Sequence, residues 1–170
     1  MTTLPPPLRT ERLLLEPYVP ADEEDFVALF RDARVARWMG DGPLSEAEAR
    51  ALFGRVFTTV HAQGLFDVWA VREDGRHVGH AEIKRTDETG GHEIVYALAP
   101  AAWGRGLGTE VAEALVAHGF DTLGLAEVHA TVAAPNAASL RLLGRIGFTH
   151  VRDITEDDGT VTRVLTRRAG

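Results

Sequence analysis

Apolar residues recur along this chain with two different spacings, and the switch between them marks its elements. Arg12 to Tyr18 (RLLLEPY) reads as a strand closed by Pro17 and Pro20. A helix is expected over Ala21 to Asp32. Asp22, Glu23, Glu24 and Asp25 load its first turn, which suits the positive end of a helix dipole, and Phe26, Leu29 and Phe30 share one face. Ser45 and Glu48 have capping-box spacing ahead of Leu52, Phe53, Val56, Phe57 and Val60, and Gly64 should end that helix. The spacing then becomes alternation. Phe66–Arg72, His77–Arg85 and Gly91–Leu98 read as an antiparallel meander, with Asp74-Gly75 as the first turn and Thr86 to Gly90 as the polar link before the last strand.

Helical spacing returns from Gly106 to Leu123, with Val111, Ala114, Leu115 and His118 on one face and Gly124 as the stop. Glu127–Ala133 is a strand. Asn136 to Ile146 is a helix ended by Gly147. Phe148–Ile154 and Val161–Leu165 close the chain as a hairpin around Asp158-Gly159. The pattern has no repeat and no linker, so residues 1–170 read as one α+β (mixed α/β) domain with a mixed sheet.

Composition narrows the function more than the fold. At 170 residues, the chain is long enough to bury a core without staples. It has no cysteine, which removes disulfides, cysteine-ligated metals and a thiol nucleophile. The 25 acidic residues exceed the 18 basic ones, for a net charge of −7, which disfavours nucleic acid as a main ligand and favours the approach of a cation. Pro5-Pro6-Pro7 reads as a short extended arm. The first residues lack the apolar core of a secretion signal, and no apolar run is long enough to span a bilayer, so the cytoplasm is the expected location. His77 and His80 are three apart on one strand, a spacing that points them to opposite faces, and no metal site is expected.

The most informative stretch is Trp103 to Glu110 (WGRGLGTE), where a strand turns into a helix. Glycines there let a ligand approach the backbone, and a helix N-terminus offers unpaired N–H groups, so the segment suits a phosphate or pyrophosphate. The nucleotide P-loop string is absent, and the dinucleotide fingerprint fails because Thr109 stands where its last glycine should be.

A glycine pair between an antiparallel strand and a long helix resembles the GNAT superfamily of acetyl-coenzyme A-dependent N-acetyltransferases. The likeness covers nearly the whole chain. It implies a mostly antiparallel mixed sheet flanked by helices, with a splayed strand pair holding the coenzyme. It also implies that Leu98, Ala99 and the amides of Arg105, Gly106, Leu107, Gly108 and Thr109 bind the coenzyme. Where the family often carries Gln or Arg ahead of its glycines, this chain has Trp103. Asn136 to Phe148 (NAASLRLLGRIGF) resembles the family's later motif. Asn136 would then contact the pantetheine arm, although it is also a good N-cap. The place of the family's usual Tyr general acid is held by Leu143, leaving Ser139 as the motif's hydroxyl beside the coenzyme, or as a first-turn residue bonding backbone.

The opening LRTERLLL, with a helix ending in Arg37-Trp38-Met39-Gly40, looks like the ribosomal-protein alanine or serine N-acetyltransferase (Rim) group. No glutamate in Thr149-His150-Val151-Arg152 matches one that this group carries after Gly-Phe. The resemblance makes Glu93 the first choice for a base that works through water, with His80 and Glu82 as alternates. Tyr96 reads as core first and as a hydroxyl near the coenzyme second. Trp38, Phe66 and Trp69 read first as packing and second as walls of an acceptor pocket. Two relatives of this activity stay open: an aminoglycoside-type acetyltransferase, and a sensor domain that binds the coenzyme without turnover. A homodimer is the assembly that the resemblance implies.

Overall fold

The computed structural model describes residues 4–39 and 42–170, so the expected helix end at Gly40 lies outside the described residues. The N-terminal arm makes a small hairpin, β1 (Leu8–Arg9) and β2 (Leu14–Glu16). The single strand expected over Arg12 to Tyr18 is therefore corrected. Thr10 N–H bonds the Leu13 carbonyl at 2.9 Å, which folds Arg12 and Leu13 into the turn. A 3₁₀ turn, Pro20–Asp22, leads into α1 (Glu23–Arg31), and α2 (Ala33–Ala36) follows with Asp32 as its N-cap. The Ser45–Glu48 capping box opens α3 (Glu46–Arg55), as the spacing predicts. This helix then widens into a π-helical segment, Val56–His61.

The meander is β3 (Asp67–Glu73), β4 (Arg76–Thr86) and β5 (Gly91–Leu98). Asp74 and Gly75 turn between the first two with φ of 51° and 79°, the positive pair that a tight hairpin turn needs. α4 (Leu107–Ala117) is shorter than the expected helix to Leu123, because the chain widens into π turns at His118–Thr122. β6 (Glu127–Ala133), α5 (Ala137–Arg145), β7 (Thr149–Thr155) and β8 (Val161–Arg168) complete the chain.

Among the described residues, eight strands form one mixed, mostly antiparallel sheet in the order β1-β2-β3-β4-β5-β6-β8-β7. The parallel neighbours β5 and β6 touch at a single register pair, Glu93 with His129, and then diverge. β4 and β5 pair over their full length, from Thr86 with Gly91 to Gly79 with Leu98. The far half of β5 thus has a partner strand on one side only among the described residues.

Each face of the sheet has its own core. Phe26 and Phe30 of α1, Phe53 of α3 and Val56 of the π-helical segment pack on Val68 and Ala70. On the opposite face, Leu107, Val111, Leu115 and Leu143 pack on Ile83, Ile94 and Val128. Alternation along β5 therefore sends Glu93, Val95 and Ala97 toward α1–α3, and Ile94, Tyr96 and Leu98 toward α4 and α5.

Candidate active site

The divergence of β5 from β6 opens a cavity of about 780 Å³, a size suited to a cofactor-sized ligand. Its walls come from both strands, from the glycine turn, from α5 and from the end of α2.

The glycine turn is built for backbone approach. Gly104 and Gly106 have φ of 76° and 78°, and Gly106 is the N-cap of α4. The first amide of α4 to close a turn is that of Glu110, on the Gly106 carbonyl at 3.3 Å. The amides of Leu107, Gly108 and Thr109 lie before it and have no partner within the helix. Gly108 is small for a packing reason, since a Cβ there would lie 3.1 Å from Leu142 Cδ1 on α5. The turn is anchored at several points. Trp103 Nε1 donates to the Leu98 carbonyl at 2.8 Å. Arg105 reaches away from the cavity and makes a two-pronged bond to Glu73, at 2.9 and 2.8 Å. Glu110 accepts from Thr10 Oγ1 at 2.6 Å and pairs with Arg12, which ties the N-terminal hairpin to α4.

Most of the coenzyme residues expected from sequence converge here. Leu98, Gly106, Leu107, Gly108, Thr109, Asn136 and Ser139 all line the cavity. Ala99 does not: its amide donates to the Val78 carbonyl at 2.8 Å, and its methyl packs on the α1–α3 core. The Arg105 side chain is engaged by Glu73, which leaves its backbone as the part beside the turn. Asn136 caps α5 by accepting from the Ser139 amide at 3.3 Å. Leu143 also borders the cavity but is 1% exposed, so the position of the absent tyrosine belongs to the core.

Glu93 sits where the two strands part and is buried. Thr131 of β6 donates its hydroxyl to Glu93 Oε1, so the carboxylate is held at the floor of the cleft, on the face of α1–α3. Thr131 was not legible as a site residue, because its part depends on a contact between strands 38 positions apart. Tyr96 borders the cavity on the opposite face. Burial raises its hydroxyl above the ordinary tyrosine value, and Ser139 offsets part of that shift.

The other candidates separate. Trp38 lines the cavity, with the Arg37 guanidinium 4.6 Å above its ring. Phe66 packs in the α1–α3 core, and Trp69 is fully buried on the far face with Nε1 bonded to the Pro6 carbonyl at 2.9 Å. His80 and Glu82 lie off this cavity. Tyr18 Oη is 2.7 Å from His80 Nδ1, and His80 Nε2 donates to Glu82 Oε1 at 2.7 Å. Burial alone would raise the Glu82 carboxyl; the His80 bond and Lys84 more than offset it and hold it at about 2. The expected opposition of His77 and His80 is corrected. The register skips Val78, and this bulge brings both rings beside Tyr18, at 6.1 and 5.6 Å between centroids. Among the described residues no group of three His, Asp or Glu is placed to hold a metal, and no helix is long and apolar enough to cross a membrane.

Comparison with known proteins places this arrangement. A family model described as an acetyltransferase (GNAT) domain matches residues 12–149. The chain is 30% identical over 149 residues to an uncharacterized N-acetyltransferase, YoaA, of Bacillus subtilis, covering 84% of this chain and 82% of that one. The crystal structure of a GNAT-family acetyltransferase from Bacillus anthracis superposes with a TM-score of 0.82 at 19% identity, over 96% of this chain and 98% of that one. RimL, a ribosomal L7/L12 alpha-N-protein acetyltransferase in complex with coenzyme A, has the same fold at a TM-score of 0.80 and 15% identity, over 96% and 98% of the two chains.

Proposed function

The chain belongs to the GNAT acetyltransferase family and is an acetyl-coenzyme A-dependent N-acetyltransferase, and we propose that it acetylates a primary amine, on a small molecule or a protein N-terminus, by direct attack across the split between β5 and β6. The observation that carries this reading is the cleft itself. It presents unpaired backbone amides on one face and a buried carboxylate on the other.

The roles follow from chemistry. The amines in view have a pKa of about 10, so the acceptor must lose a proton before it attacks. Glu93, oriented by Thr131, is the base, acting through water from the α1–α3 face. Nitrogen bonds to the acetyl carbon, and the resulting oxyanion takes N–H donors from the unladdered stretch of β5 that ends at Leu98. The carbon–sulfur bond then breaks and the coenzyme leaves as a thiolate. The coenzyme's diphosphate lies on the Arg105–Thr109 amides, and Arg141 and Arg145 of α5 border the same cleft with positive charge. Residues 1–170 act as one acetyltransferase domain in this reading, with homodimerisation checked by a sedimentation mass.

The direct test is release of coenzyme A thiol from acetyl-coenzyme A against a panel of N-terminal peptides, polyamines and aminoglycosides. The chain has no cysteine, so the thiol reagent has no protein background. Turnover with a peptide or small amine supports the reading, and turnover confined to aminoglycosides moves it to that class. Silence across the panel with the coenzyme bound supports a sensor domain instead.

A further inference from the structure

The reaction above ends with a thiolate, and the position where the family keeps a tyrosine for it is occupied by the core residue Leu143. A tyrosine on a different element borders the cleft. Tyr96 lies on β5, three residues beyond Glu93 and therefore on the opposite face of the split. Its Oη is shielded from solvent and has no hydrogen-bond partner among the described residues. Burying an O–H without a partner is costly, and such a group calls for an explanation where it persists. The chain's other tyrosine shows the alternative, since the Tyr18 hydroxyl is paired with His80. Tyr96 makes no such bond; the hydroxyl beside it is that of Ser139, and both residues border the cavity with Leu142.

We propose that Tyr96 is the catalytic acid of this chain: its hydroxyl donates to the coenzyme sulfur and protonates it as the carbon–sulfur bond breaks. This rests on the acetyl-transfer reading above. The two faces of the split divide the proton work. On the Glu93 face the attacking amine gives up its proton through water. On the Tyr96 face the C–S electron pair goes to sulfur, which takes the phenolic proton. The phenolate regains a proton from solvent after the thiol departs, so the cycle closes without another reactant. A tyrosine hydroxyl is protonated at neutral pH, and burial of Tyr96 favours that form further.

The test reads the sulfur directly. Coenzyme A bound to the protein is titrated by thiolate absorbance near 240 nm, a signal free of protein thiols because the chain has no cysteine. A donor aimed at sulfur makes the bound thiol more acidic than in Tyr96→Phe, with an expected difference of about tenfold in the acid constant. Arg141 and Arg145 border the same cavity from α5, and Glu93 borders it from the far face; all three are unchanged in the variant, so the difference isolates one hydroxyl. In turnover, Tyr96→Phe should lower kcat about 100-fold, with the KM for acetyl-coenzyme A within threefold. An acid constant within twofold of the unsubstituted protein overturns the proposal. So does a shift that appears in Ser139→Ala and not in Tyr96→Phe.

Were the Phe variant not to fold, isosteric 3-fluorotyrosine at both of the chain's tyrosines replaces it. The more acidic ring should move the high-pH limb of kcat downward, and an unmoved limb overturns the assignment. The titration needs no acceptor, so a silent amine panel leaves it intact, whereas failure of coenzyme A to bind at all overturns both readings.

Discussion

The two faces of the split between β5 and β6 are made from different parts of the chain. Toward α4 and α5, the polar groups offered to a ligand are mostly backbone: the amides at the start of α4, released by the positive φ of Gly104 and Gly106. One continuous run of sequence supplies them. Toward α1–α3, the polar groups are side chains from separate elements: Glu93 on β5, Thr131 on β6, and Trp38 just beyond α2. A backbone site is recognised by the glycines it needs. A side-chain site exists only after distant elements meet, and many residue sets could line it. In the proposed reading, the first face holds the coenzyme and the second is where the acceptor would be chosen.

The largest effect that would break this comparison is at Gly108. A leucine there has to displace Leu142, because even its Cβ would start 3.1 Å from Leu142 Cδ1. Gly108→Leu should remove coenzyme binding. In the unsubstituted protein, ligand at 100 times its Kd adds about 2.7 kcal/mol of stability, seen as a rise in Tm; the variant should show none while still folding. A retained rise would mean that the glycine turn is not the cradle. Next in size is Glu93→Gln on the other face. It should lower kcat about 100-fold and leave the coenzyme-induced rise in Tm intact, because only the acceptor's proton path is touched. Equal turnover would take Glu93 out of the mechanism.

The same contrast explains how much the sequence disclosed. The meander, β6 and the glycine turn were legible because alternation and glycine are local signals. The widening of α3 at Val56–His61 and of α4 at His118–Thr122 was not, because a π turn shifts helical spacing by one residue and mimics a continued helix. The bulge at Val78 escaped for a similar reason: simple alternation places His77 and His80 on opposite faces, and one skipped residue reverses that. The Leu13-Leu14-Leu15 run hid a turn because each leucine alone suits a strand. The ties from Thr131 to Glu93 and from Arg12 to Glu110 join residues 38 and 98 positions apart, and no local pattern announces them.

The α1–α3 face also carries its own acid sensitivity. Glu82 is held at about 2 by His80 and Lys84 against the cost of burial. A carboxyl in an unfolded chain titrates near 4.3, so the fold favours the ionised form. The resulting stability is fully present above that value and is lost as pH falls from about 4.3 toward 2. In this window the Tm of the unsubstituted protein should fall more steeply than that of Glu82→Gln. Parallel curves would show that the Tyr18–His80–Glu82 chain is not coupled to folding. Gly108→Leu should keep the steeper fall, since its damage is confined to the other face.

The smallest effect is the sharpest, because it separates two roles held by one residue on the coenzyme face. The Asn136 carbonyl oxygen caps α5, while its amide nitrogen remains available to a ligand. Asn136→Ala removes both and should cost about 1 kcal/mol of stability. Asn136→Asp keeps the cap, since aspartate caps as well as asparagine and its charge suits a helix N-terminus. It has lost the amide donor, however, and it adds negative charge beside an anionic coenzyme. If the nitrogen meets the pantetheine arm, Asn136→Asp should melt within a degree of the unsubstituted protein while binding coenzyme A about tenfold more weakly. Calorimetric binding and a thermal melt on the same sample decide it. Unchanged affinity in the aspartate variant would reduce Asn136 to a helix cap and leave the backbone amides before Glu110 as the main hold on the coenzyme.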